Sequence, residues 1–135
     1  MACLVVILSI TPNVSTSAME TVNYKITEEE PGGKFSHIHH LYPSIKVSSD
    51  GTVDAGTIVR LRTGTDADNC MAVIKIQEYN NGRWTTKVTK STKGKSSAIA
   101  KYIYKGFSDR KYRVIAYGYA YKGDKELEEF HMIKY

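Results

Sequence analysis

Three of the chain's four histidines fall within four positions of FSHIHHLYP, Phe35 to Pro43. In an extended segment side chains alternate faces, so His37 and His39 point the same way and can offer two imidazole nitrogens to one Zn²⁺ ion. That is half a site. A structural zinc takes four ligands and a catalytic one at least three from the protein, so His131, Cys70 or a carboxylate would have to join them from distant strands. With His40 alongside, the tract is a compositional hint of metal binding. The plain alternative is a solvated segment ahead of the first strand whose imidazoles titrate near neutrality.

A second set of residues carries charge. Lys87, Lys90, Lys93 and Lys95 gather around the segment STKGKSS, Ser91 to Ser97, where glycine and serines supply flexibility and hydroxyls. Such a loop can hold phosphate, sulfate or carboxylate groups, and the alternative is a loop tip kept soluble by its lysines. A third set is aromatic. In KYRVIAYGYAYK the residues Arg113, Ile115, Tyr117, Tyr119 and Tyr121 share one face by two-residue periodicity, and Tyr112, Val114, Ala116, Gly118 and Ala120 share the other. The small face suits a core. The other face then presents a row of rings with a basic residue, suited to stacking on sugars or to a protein partner. If Tyr102 and Tyr104 lie on a neighbouring strand, that patch is larger.

No pattern of an enzyme accompanies these sets. The chain lacks Gly-x-Ser-x-Gly, His-Glu-x-x-His and a phosphate-cradling glycine loop. TDADNC, Thr65 to Cys70, places Asp66, Asp68 and Asn69 together but lacks the glycine and distal glutamate of a calcium loop, and reads as a turn. No cofactor is expected, with zinc at the histidines as the exception.

The elements that must position these residues follow from patterning. Ala2 to Ile10 is an unbroken apolar run followed by the small-residue string VSTSA, the signature of a secretory signal peptide over residues 1–18. The run is too short to span a bilayer, which takes about 20 apolar residues, so no transmembrane segment is expected. Residues 19–43 read as a polar, His-rich linker containing TEEEPGG. Removal of the leader takes Cys3 and no charge, leaving a basic domain of net charge +5 with Cys70 either buried or linking two chains.

From Ser44 onward, β-type runs alternate with turn signals and no 3.6-residue period appears. Strands are expected over 45–48, 57–63, 70–79, 83–90, 98–105, 112–121 and 126–135. Asn80-Asn81-Gly82 closes the third and fourth into a hairpin. Within Arg83 to Lys90, Trp84, Thr86 and Val88 are expected on one side. Seven strands without helices predict an immunoglobulin- or fibronectin-like β-sandwich over 44–135. Tyr112, after the polar turn at Asp109, stands where such folds place a tyrosine that bonds back across a corner.

The runs IQEYNNGRWTTKVTK and DRKYRVIAYGYAYKGDKELE resemble a family of small secreted β-sandwich proteins of unknown function from Gram-positive Firmicutes. Those proteins share a Q-x-Y, turn, Gly-x-Trp hairpin and a later Tyr-Arg-Val strand. The resemblance spans about residues 45–135 and implies fold and compartment, with no catalytic residue attached. The expected function is a secreted, extracellular, non-catalytic binding module. Its expected partner is an anionic cell-wall polymer such as teichoic acid or an extracellular protein, rather than nucleic acid. The alternative is a bacteriocin-like antibacterial protein or toxin.

Overall fold

The computed structural model describes residues 36–135. The expected signal peptide and residues 19–35 of the expected linker lie outside them. The described chain is all-β, with seven antiparallel strands and no helix. The strands are β1 (Ile38–Val47), β2 (Thr52–Leu61), β3 (Asn69–Asn80), β4 (Arg83–Gly94), β5 (Ser97–Lys105), β6 (Lys111–Lys122) and β7 (Lys125–Lys134). They form two sheets, ordered β1-β2-β5 and β4-β3-β6-β7. Among the described residues no helix is long and apolar enough to cross a membrane.

Two-residue periodicity builds the core. On β3, Cys70, Ala72, Ile74 and Ile76 point inward; on β6, Tyr112, Val114, Ala116 and Ala120 do so. They meet Leu41 of β1, Val53, Ala55 and Val59 of β2, and Ala98 and Ala100 of β5 in one cluster. Cys70 is fully buried, and burial pushes its thiol up to about 11. It packs as a small apolar residue.

Turn chemistry sets the registers. Asn81 and Gly82 have φ of 52° and 82°, the positive pair of a type I′ turn, whose twist matches that of the flanking strands. The turn pairs Asn80 with Arg83 and Tyr79 with Trp84. Asp68 and Asn69 brace the β6–β7 turn: Gly123 N–H donates to Asp68 Oδ1 at 3.0 Å, and Asn69 Nδ2 donates to Gly123 O at 3.1 Å. The Gly123 amide, the largest influence, holds the Asp68 carboxyl below its ordinary range.

Several expectations are revised. β1 begins at Ile38, inside the expected linker, with Ile38, Leu41 and Pro43 buried. The sequence hides it because His39 interrupts the alternation as a bulge and Pro43 argues against a strand, although an edge strand tolerates proline. STKGKSS is not a loop: β4 runs through Gly94 and β5 starts at Ser97, so only Lys95 and Ser96 connect them. On β4 the register shifts between Val88 and Thr86, so Trp84 and Thr86 face outward while Val88 packs against the core.

Candidate binding face

The outward side of β6 carries the tyrosines as the alternation requires. Tyr117, Tyr119 and Tyr121 are half-buried, with centroid spacings of 6.2 Å for both successive pairs and interplanar angles of 13° and 27°. Cross-strand pairing supplies their flanks. Tyr117 lies between Val73 and His131, and Tyr119 between Met71 and Glu129. The His131 ring is 5.6 Å from that of Tyr117, and Lys75 Nζ lies 5.3 Å from the Tyr117 centroid. The result is a ladder of rings held by a central strand, so little side-chain freedom is left to lose on contact.

Ile115 separates this ladder from a second aromatic group at the other end. Arg113 lies 4.3 Å over the Trp84 ring and 5.8 Å from the Tyr135 centroid. Its Nε donates to Gln77 Oε1 at 2.8 Å and its Nη1 to the Tyr135 hydroxyl at 3.2 Å. Trp84 also meets Tyr79 at 5.1 Å and Tyr135 at 5.9 Å. Arg113 is therefore a clamped cation, its charge shared among rings and an amide. By sequence, His131 is placed only as a candidate zinc ligand and Trp84 only within its hairpin strand, and neither they nor Tyr79, Tyr135 and Lys75 are assigned to this face. The Tyr79–Trp84 pair was legible from the Asn-Gly turn, which sets them opposite each other.

Tyr102 and Tyr104 do not extend the patch. β5 belongs to the other sheet, and Tyr104 packs against Tyr112 at 6.0 Å. The upper ladder is also less basic than its sequence suggests. Burial, followed by Glu129 and Glu126, pushes Tyr119 up to about 12; the same groups raise Tyr121. Two carboxylates at that end oppose a dense polyanion.

The four lysines do not converge. Lys87 Nζ lies 3.7 Å from buried Glu78. Lys90 is opposite inward Ile74, whereas Lys93 is opposite outward Met71, so those two leave β4 on opposite sides. Lys95 lines an end depression of about 390 Å³ with Arg62, Thr65, Asp68 and Ser96. The four therefore form no single cluster on one face of β4.

The histidines are also rearranged. The bulge turns His39 beside His40, with ring centroids 3.8 Å apart, and His40 stacks on Tyr42 at 4.8 Å. His37 is engaged elsewhere: its N–H donates to Glu128 Oε1 at 2.6 Å and its Nδ1 meets Thr65 Oγ1 at 2.5 Å. Among the described residues no group of three or more His, Cys, Asp or Glu could hold a metal ion. Burial, then His39, Arg60 and Arg62, lowers the His40 pKa. A lowered value means the folded state binds protons less readily than the unfolded chain, so stability is lost as pH falls below about 6.5. A melting series across that range should show this decline, flattened in His40→Gln; an unchanged slope would contradict the assignment.

Comparisons with protein-family models, curated proteins and solved structures give no match for the chain.

Proposed function

We propose that this chain is a small secreted, non-catalytic binding module of immunoglobulin/fibronectin type that contacts a cell-envelope polymer through stacking on the outer face of its four-stranded sheet. The sandwich type is supported by the strand orders β1-β2-β5 and β4-β3-β6-β7. A corner tyrosine supports it as well: the Tyr112 hydroxyl accepts the Phe107 N–H at 2.7 Å. The observation that carries the function is the Tyr117–Tyr119–Tyr121 ladder, three half-exposed rings at even spacing on a rigid strand. Evenly spaced rings match a repeating ligand with apolar sugar faces. Scattered lysines and the flanking Glu126 and Glu129 make phosphate-rich segments a lesser contributor.

The test is co-sedimentation of the chain with purified Gram-positive walls. Tyr117→Ala/Tyr119→Ala, assayed well below its own melting transition because loss of two half-buried rings also costs stability, should weaken binding about tenfold, since each ring contact is worth roughly 0.5–1.5 kcal/mol. Equal binding by the double variant and the parent would refute the assignment of the face.

A further inference from the structure

The two sheets present four edge strands, β1, β5, β4 and β7, and an open edge is a template for another strand. Three carry features that discourage pairing. β1 has Pro43 and the bulge at His39; β4 has a register shift and Lys87, Lys90 and Lys93; β7 has a register shift and inward-facing Glu128 opposite Ala120. β5 has neither proline nor bulge, and pairs with β2 without a register shift from Ser97 to Lys105. It also carries three large apolar side chains left in solvent: Ile99 is 51%, Tyr102 43% and Ile103 62% exposed.

We propose that two copies of this chain pair along β5, antiparallel about a two-fold axis through Lys101, joining their three-stranded sheets into one of six strands. The sequence SAIAKYIYK is self-complementary about that residue. Ile99 of each copy then faces Ile103 of the other, bringing together the two most exposed large apolar side chains of the strand. On the opposite side Ala100 faces Tyr102 and Ala98 faces Tyr104, small against large. The pairing is isologous, so every such contact occurs twice. Tyr42, Ile58 and Ile99 already form one cross-strand row, which continues into Ile103 of the second copy.

The like-charged Lys101 pair on the axis opposes association. Asp54 lies diagonally two register positions from Lys101, opposite Ile103 on the same face, and offsets part of that charge in each copy. A nine-residue strand edge with these side chains buries on the order of 1,000 Å², the lower end for a specific interface. Micromolar self-association is the expected regime.

Sedimentation velocity of the full chain from about micromolar to millimolar concentration tests the proposal. A monomer–dimer equilibrium is expected, strengthened by salt because the axial charges repel. Ile103→Lys should weaken it at least tenfold while leaving the melting curve of dilute protein unchanged, since that side chain lies in solvent. Lys101→Thr should tighten it several-fold, and Lys101→Cys in a Cys3→Ser background should close a disulfide across the axis, where paired Cα atoms of about 4.5–5.5 Å suit the bond. A monomer throughout this range, or a dimer indifferent to both Ile103→Lys and Lys101→Thr, overturns the proposal.

Discussion

Glu78→Ala is expected to lower the unfolding free energy by about 3 kcal/mol, a drop of more than 10 °C at roughly 4–8 °C per kcal/mol for a domain this size. Glu78 is only 3% exposed, on the inward side of β3. Arg110 Nη1 lies 3.0 Å from Oε1, Lys87 Nζ 3.7 Å from Oε1, and the Tyr112 hydroxyl donates to Oε2 at 2.9 Å. Without the carboxylate, Arg110 and Lys87 can turn toward water, because each is already about one-third exposed. The Tyr112 hydroxyl cannot, and the vacated space adds a cavity. Tyr112→Phe should cost about 2 kcal/mol, since it strands the Phe107 amide and one carboxylate oxygen. Thermal unfolding of both variants checks the order.

The same tyrosine gives the domain an alkaline limit. Burial, as the largest cause, pushes Tyr112 up to about 12, with Glu78 adding to the shift. The folded state therefore keeps the phenol proton more firmly than the unfolded chain, whose tyrosines titrate near 10. That stabilisation is complete below about pH 10 and disappears as pH rises through about 12. A shallower alkaline decline in Tyr112→Phe is the expected result; an identical decline would place the sensitivity elsewhere.

Gly118→Val is the second large effect, a loss of about 3 kcal/mol or more. Gly118 lies inward on β6 between Tyr117 and Tyr119. A Cβ there would stand 2.8 Å from Val59 Cγ2 and 3.2 Å from Leu41 Cδ1. Both neighbours are fully buried, so they can yield only by moving β1 and β2 away from β6. Gly118→Ala should be milder, about 1 kcal/mol, because a single methyl asks for a smaller shift and alanine suits a strand better than glycine. Either change displaces the backbone that spaces the ring ladder, so wall binding should fall along with stability. A valine variant that melts with the parent would show that the sheets are not packed this closely.

These effects show where the sequence was readable. The alternation of β6 identified its buried face from Tyr112 to Ala120 because small residues and rings separate cleanly by parity. The Asn81-Gly82 turn was equally plain, since few residues adopt its backbone. Bulges were not: His39 and Lys87 each shift parity by one residue, and nothing in their chemistry announces it. The lysines seemed clustered because sequence neighbours on a strand point to opposite faces, and the tyrosines of β5 seemed to extend the ladder because sheet membership depends on topology. Trp84, Arg113 and Tyr135 come together through the pairing of all four strands of the β4-β3-β6-β7 sheet, information that no local pattern contains.

The most direct test of the binding face is wall co-sedimentation of Tyr117→Ala/Tyr119→Ala beside Lys90→Ala/Lys93→Ala/Lys95→Ala, at low and high salt and with walls stripped of teichoic acid. Stacking predicts that the ring variant loses binding, the lysine variant keeps it, and neither salt nor stripping removes it. Binding abolished by the lysine changes, by salt and by stripping, yet untouched by loss of the rings, would contradict the account and make charge the basis of recognition.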